Sequence, residues 1–372
     1  MVANVKDKAV IVGVGNTAFS KDSGVSELSL AVQATKAALD DAGLHPSAVD
    51  GMATFTMDTN DEIEVARALG VGEMTFYGRS HYGGGAATSC LHQATMAIAT
   101  GMAETVVVYR ALNGRSGHRF SSGVSGDITT ADAIHWGWYM PYGLLTPASW
   151  VAMFTQRWMH NTGVTKDALY EVAKTTRDYG ANNPAAFFHG RTFDRAEYDA
   201  ARMIADPLQL FDCCQESDGG SAIIVTTPER ARDLKQPGVA VRGVAQCAAK
   251  DQEQMTSFYR EEFAGIPEME RASQNVYAMS GLAPDDLDAA VIYDAFSPIV
   301  LWQLEAWGLC GYGESGDFVK DGALRSDGRL PTNTHGGQLS EAYIHGVNGL
   351  VEATRLVRGT SVNQPDKTVN HA

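Results

Sequence analysis

No apolar run in this 372-residue chain approaches the roughly 20 residues of a membrane span, and the polar opening stretch, Met1 to Lys8, carries no signal-peptide pattern. A soluble, cytoplasmic protein is the expectation. Cysteine is scarce and odd in number: Cys90, Cys213, Cys214, Cys247 and Cys310 show no paired Cys-x-x-Cys spacing, which argues against a disulfide framework and a zinc site. Positive charge is short as well. With 29 Lys and Arg against 44 Asp and Glu, the net charge of −15 argues against nucleic acid or an anionic membrane as partner. Any anionic ligand would need a local basic patch or a partner subunit to supply the missing charge.

What the chain does have is apolar mass and an internal repeat. At 44% hydrophobic it exceeds the size at which one core keeps growing, so two packed units are expected. Gly43-Leu-His-Pro-Ser-Ala-Val-Asp50 follows a helical pattern (30–42), and Gly281-Leu-Ala-Pro-Asp-Asp-Leu-Asp288 follows another (269–280), 238 positions later. In each copy the glycine is a left-handed helix stop and the proline prevents resumption. Strand-like runs follow both copies, and further strand candidates, 9–14 and 239–244, open the two halves. This predicts an α/β protein of two related helix–sheet–helix halves, residues 1–230 and 231–372. An aromatic, methionine- and glycine-rich region from about 111 to 205 reads as an insertion. Its aromatics either line a pocket or interface, or pack the insertion's own small core.

Several motifs in order carry a resemblance over nearly the whole chain. Besides the repeat, these are Pro207-Leu208 with Phe211-Asp-Cys-Cys214 and Ser217-Asp-Gly219, then Tyr293-Asp-Ala-Phe-Ser297, Leu304-Glu-Ala-Trp-Gly-Leu-Cys310, and Asn333-Thr-His-Gly-Gly337. Together they resemble the sterol carrier protein X branch of the thiolase superfamily. The resemblance implies an α/β thiolase fold: two βαβαβαββ halves in five αβαβα layers, a central pair of buried helices, an inserted loop region, and a dimer.

The departures from that family decide the chemistry. Its nucleophilic cysteine falls at about Gly84, within His81-Tyr-Gly-Gly-Gly-Ala86, where there is no thiol. Cys90 lies six residues on, about 9 Å along a helix, too far to substitute, and reads as a small buried hydrophobe. The glycine run either leaves backbone N–H groups open beside a bulky or anionic group or serves close helix packing. The family's His-Asp-Cys-Phe-x-x-Asn-Glu motif stands here as Tyr293 to Val300, with Ile299 replacing the asparagine that helps polarise a thioester carbonyl. Its Gly-His-Pro motif stands as Ala342-Tyr343-Ile344. A phenol, with a pKa near 10 against about 6.5 for imidazole, exchanges a ready base for a proton donor that must be activated.

Claisen condensation through an acyl-enzyme is therefore not expected, whereas retro-aldol cleavage needs only a base, an acid and support for an enolate. The sequence resembles the lipid-transfer-protein aldolases of bacterial steroid side-chain degradation, as in cholesterol catabolism. That implies a carbon–carbon lyase cleaving a 17-hydroxy steroid C20-carboxyl-CoA to a 17-ketosteroid and propionyl-CoA. Tyr293 and Tyr343 would share the base and acid roles, and His345 and His335 are candidate hydrogen-bond partners. Backbone donors near Gly84 or Asn333 would steady the enolate oxygen, and Asp294 either orients a neighbour or caps the next helix. No metal and no cofactor beyond the coenzyme A of the substrate is implied. The resemblance also brings an OB-fold, acyl-CoA-associated partner, often with a zinc knuckle, on a homodimer core in a heterotetramer. Its contact would involve the insertion or the 311–328 loop. Two other readings stay open: a coenzyme A acyltransferase (thiolase), and a non-catalytic acyl-CoA or lipid-binding subunit.

Overall fold

The computed structural model describes residues 5–372 except 57, 81–84, 118, 124–130 and 254–255. The first half runs β1 (Val10–Asn16), α1 (Glu27–Ala42), β2 (Gly51–Phe55), α2 (Glu62–Leu69), β3 (Phe76–Ser80), α3 (Ala87–Ala99) and β4 (Thr105–Asn113). Next come α4 (Ala131–Tyr139), α5 (Pro147–Thr162), α6 (Lys166–Asn182), α7 (Arg195–Asp199) and the hairpin β5 (Met203–Ala205) and β6 (Leu208–Gln209). The chain returns through β7 (Asp218–Thr226) and α8 (Pro228–Ala231). The second half holds β8 (Val239–Ala240), α9 (Pro267–Ser280), α10 (Ser297–Ala306), α11 (Ser315–Phe318) and α12 (Val347–Arg358).

One mixed sheet, ordered β3-β2-β4-β7-β1-β8, organises the first half. β2 runs parallel to β3 and β4, while β7 lies antiparallel between β4 and β1. β7 is buried throughout and β4 up to its last residue, and accordingly each carries a continuous apolar stretch, 106–109 and 222–225, rather than an alternation. Ser26 caps α1, and the helix backbone lies directly on β1: a Cβ at Gly13 would stand 2.1 Å from the Ala38 carbonyl oxygen, and one at Gly15 2.4 Å from that of Ala34. Only glycine permits that approach.

The repeat holds atom for atom at its turns. Gly43 and Gly281 both end their helices in the left-handed conformation, at φ 74° and 72°, and a one-turn 3-10 helix follows each. Asp50 then accepts from the N–H groups of Glu104 and Thr105, and Asp288, at the matching place, from those of Asn370 and His371.

The layers follow from which residues pack together. α1 covers one face of the sheet through Leu30, Ala34 and Ala38. α3 and α12 cover the other, through Cys90, Ala94, Val347 and Val351. The far side of α12, at Leu356, packs on Ala289 and Val369. Beyond Ala290 and Ile292 lie α10, α5 and α6, with Leu301, Trp158 and Leu169. The fourth layer differs from a regular sheet. Among the described residues its ladder is an isolated parallel bridge, Ala290 to Thr332, because the next rung is made by a side chain, that of Asn333. Of the 239–244 run only Val239–Ala240 is strand, and it joins β1 of the first half.

The insertion begins later than expected, since β4 continues to Asn113. Its aromatics pack partly on one another and partly on the second half. Trp136 stacks on Trp150 at 5.3 Å, and Phe154 stacks on Phe258 of the second half at 4.8 Å. Glu253 clasps α4, accepting from the Tyr139 hydroxyl at 2.5 Å and lying 2.6 Å from His135 Nδ1.

Candidate active site

The site is built from the end of the 289–293 segment, the 333–346 turn, the 213–217 segment and β4. Asn333, at φ 55°, turns its amide to Ile292: Oδ1 accepts from the Ile292 N–H and Nδ2 donates to the Ile292 carbonyl, both at 2.8 Å. Its own N–H donates to Ala290 at 3.0 Å. A side chain thus replaces a strand rung and fixes the backbone that carries Tyr293. The backbone N–H of Asn333 itself is therefore engaged with Ala290 and does not face an enolate oxygen.

Asp294 is fully buried and turns away from the following helix, whose N-cap is Phe296. Its carboxyl accepts from the N–H of Gln338 at 2.6 Å and, more weakly, of Leu339 at 3.5 Å, inside a single π-turn, 337–341. A Cβ at Gly337 would stand 1.9 Å from Asp294 Oδ2, so glycine is required there on contact grounds and by its φ of 58°. Asp294 orients a neighbour rather than capping a helix. Burial pushes its pKa up to about 7.

The π-turn delivers Tyr343, and the two phenols meet. Tyr293 donates to Tyr343 with 3.1 Å between oxygens, and both residues are only half-buried, so the pair is not sealed into the core. Gln303 Nε2 holds the Tyr293 carbonyl at 2.7 Å. At Gly346 a Cβ would lie 3.4 Å from the Tyr293 ring and 3.5 Å from Ala87, so the first turns of α12 and α3 converge on the pair. Cys214 is tied to this floor by its N–H to Ala295 at 2.9 Å. Glu216 bridges to the backbone of Tyr343 and takes Arg119 and Ser121 on its carboxylate.

The two hydroxyls are not equivalent. Burial raises both pKa values above that of a free phenol, but the Tyr293 hydroxyl and Arg110 pull Tyr343 back down. The same hydrogen bond acts upward on Tyr293, which stands well above its ordinary value. Both phenols thus stand above the ordinary value, and on Tyr343 the donated hydrogen bond and the Arg110 charge act downward.

The histidines behave differently from expectation. His345 packs edge-on against Tyr343, centroids 4.8 Å apart, and makes its hydrogen bond elsewhere: Nδ1 accepts from Arg110 Nε at 3.0 Å. His335 is fully buried beside Glu341, its Nε2 3.8 Å from a carboxyl oxygen, and neither ring nitrogen has a hydrogen-bond partner among the described residues. It is not joined to either tyrosine. Gly84 lies outside the described residues. Cys90 has its Sγ 3.3 Å from the Thr54 carbonyl, with its pKa pushed up to about 11 by burial, as fits an inert core thiol.

Arg110 and Asp58 were not singled out in the sequence. Their ion pair, at 2.9 Å, is buried on both sides. The available signal was a charged residue inside the apolar run of β4. Among the described residues no cluster of three or more His, Cys, Asp or Glu could hold a metal ion, and no helix is long and apolar enough to cross a membrane.

Residues 249–372 match the thiolase C-terminal domain-like family. The chain is 54% identical to a steroid side-chain-cleaving aldolase of Thermomonospora curvata, over 97% of this chain and 93% of that one. It is 52% identical to 17-hydroxy-3-oxo-4-pregnene-20-carboxyl-CoA lyase of Mycobacterium tuberculosis, over 98% and 95%. A solved Ltp2-ChsH2(DUF35) aldolase superposes with a TM-score of 0.94 at 53% identity, covering 98% of this chain and 94% of that one.

Proposed function

This chain belongs to the steroid side-chain-cleaving aldolases, a family on the thiolase fold, and from that premise we propose how it breaks a carbon–carbon bond. The substrate is a β-hydroxyacyl-CoA thioester, a 17-hydroxy steroid C20-carboxyl-CoA like that named for the mycobacterial relative. The products are a 17-ketosteroid and propionyl-CoA. The observation that carries the reading is the direct hydrogen bond between two phenols, Tyr293 and Tyr343.

Ionised Tyr343 takes the proton of the 17-hydroxyl. The oxygen's electrons form the ketone as the C17–C20 pair passes into the thioester enolate. Tyr293 then protonates C20, which leaves its own oxygen negative. The proton held by Tyr343 crosses the 3.1 Å hydrogen bond to Tyr293 and resets the pair. The substrate hydroxyl's proton thus ends on carbon, and the cycle runs on proton transfers alone. Coenzyme A enters only as part of the substrate. The N–H groups at the start of α3, which have no intrahelical partner and lie next to the pair at Ala87, are the donors we assign to the enolate oxygen.

The acidic chain works with a DUF35-type partner, of the kind that accompanies the aldolase in the solved Ltp2-ChsH2(DUF35) neighbour. We place this assembly in the cytoplasm, on a homodimer core, with the partner contributing to CoA binding or closing the steroid site. The test is to incubate the chain, with and without such a partner, with the 17-hydroxy thioester and measure propionyl-CoA by mass spectrometry. Turnover should need both tyrosines. Thioester bound but never cleaved would favour a binding subunit, and acetyl transfer to CoA a thiolase.

A further inference from the structure

Arg110 is a charged residue inside a strand buried on both faces, only 3% exposed, and every contact it makes is to one side of the site. Its Nη1 pairs with Asp58 Oδ2 at 2.9 Å and donates to the Ala111 carbonyl at 3.1 Å. Asp58 is itself held: Oδ1 accepts from the N–H and side-chain amide of Asn60, and Oδ2 from the Ala111 N–H. The Nε of the guanidinium points at His345 Nδ1. A guanidinium does not give up its proton, so Nδ1 must be the acceptor and Nε2 must carry the hydrogen. His345 is therefore a neutral imidazole in one tautomer, held at a φ of 51° that few side chains adopt. Burial and the adjacent guanidinium keep its pKa well below the usual value, which removes it as an acid or base. Its ring in turn stands at 75° to that of Tyr343, and Phe120 packs against both, 5.4 Å from His345 and 6.1 Å from Tyr343.

We infer that Arg110, clamped by Asp58 and acting through His345, is a positioning residue that locks the Tyr343 ring toward Tyr293 and stands a fixed positive charge behind the phenol. This rests on the reading of Tyr343 as the base and adds to it a source for the negative charge's stability. The ionisable and charged groups that bear on the Tyr343 phenol are Tyr293 across the site, Arg110 behind it, and Cys214 and Glu216 from the 213–217 segment. Arg110 is the one cation among them. His345 is a spacer: it transmits orientation by packing and adds no charge.

The experiment is the pH dependence of steroid thioester cleavage by the complete complex, combined with direct titration of Tyr343 by NMR of isotope-labelled tyrosine. The Tyr343 resonance is identified by its loss in Tyr343→Phe. Arg110→Met alone would strand a buried carboxylate and risk unfolding, so the informative comparison is Asp58→Asn/Arg110→Met against Asp58→Asn, which isolates the cation, each checked by its melting transition. Both the rising limb of kcat and the Tyr343 titration should move up by about 1 to 2 pH units, with a roughly ten- to hundredfold loss of rate at neutral pH. KM should change little. Arg110→Lys, which keeps the charge without the planar fork, should recover most of the shift. A rate that falls evenly at every pH, with the limb and the titration unmoved, would reduce Arg110 to a structural role and overturn the inference. A fully active Tyr343→Phe would instead overturn the base assignment on which it stands.

Discussion

The hydroxyl of Tyr293 lies 3.1 Å from that of Tyr343 and donates to it, so one phenol is acidified by the other. Removing either hydroxyl leaves the ring packing in place. Tyr343→Phe should lower kcat about a hundredfold to ten-thousandfold, with KM and melting temperature nearly unchanged. Tyr293→Phe should lower kcat by a similar factor and also shift the rising limb upward, since Tyr343 loses the donor that favours its ionised form. Steady-state kinetics across pH separates the two, and near-normal rates in both variants would end the proton-shuttle account.

Asn333 supplies the second test, because it does with one side chain what a neighbouring strand does elsewhere. Asn333→Ala leaves the N–H and carbonyl of Ile292 unpaired in the interior, at about 1–3 kcal/mol for each group. Asn333→Asp keeps the acceptor for the N–H but sets an oxygen against the Ile292 carbonyl, so it should be no better. Both variants should lose turnover beyond their loss of stability, as the backbone under Tyr293 slackens. Denaturant unfolding beside kcat at a temperature where both variants stay folded checks this; full activity would show that the clamp is not needed to place Tyr293.

Much of this was legible in the sequence, and the reasons differ by element. The repeat could be read because its glycine and proline do local work, at Gly43 and Gly281, that no partner has to supply. The pairing of Tyr293 with Tyr343 was expected only through a resemblance, since both stand in motifs where thiolase-like chains carry histidine, and the structure adds that their hydroxyls meet. The fourth layer could not: strand propensity in 289–293 says nothing about whether the next rung will be backbone or the amide of Asn333. Nor could the roles of the histidines, since His335 and His345 lie ten positions apart and meet quite different surroundings, Glu341 in one case and Arg110 in the other. Arg110 was visible only as an anomaly in an apolar run, and its meaning depends on Asp58, which folds to it from another loop.

Gly337 is fixed by the atom that would strike it. Gly337→Ala puts a methyl where Asp294 Oδ2 now lies and forces a left-handed residue to carry a Cβ. The π-turn that delivers Tyr343 must then shift. A loss above about 2 kcal/mol, with turnover abolished, is expected. A variant of native stability and activity would show that the Asp294 contact does not set the turn.

Cys90 should prove dispensable to the chemistry. Its thiol is buried and its pKa is pushed up to about 11, so at neutral pH almost none of it is thiolate. Cys90→Ala should keep turnover while costing on the order of 1 kcal/mol of stability. Iodoacetamide followed by peptide mapping should find no acyl or alkyl group on it in the folded enzyme. An acyl-Cys90 trapped during turnover would restore the thiolase mechanism.

The buried pair His335 and Glu341 gives a pH signature in stability, with opposite signs at the two residues. Burial and Arg355 lower His335 from 6.5 to about 3. The unfolded chain therefore takes up a proton below 6.5 that the folded chain refuses, and stability from this residue, complete above 6.5, is lost as pH falls toward 3. Burial raises Glu341 from 4.5 to about 8, so its contribution is complete below 4.5 and is lost as pH rises toward 8. Other groups cancel when each single variant is compared with wild type at the same pH. The stability difference between wild type and His335→Gln should shrink as pH drops below 6.5, by about 1.4 kcal/mol per unit at most. The difference between wild type and Glu341→Gln should shrink in the other direction, between 4.5 and 8. Urea unfolding midpoints over that range measure both, and parallel curves for either variant would mean that the residue already has a water or ionic partner in the fold.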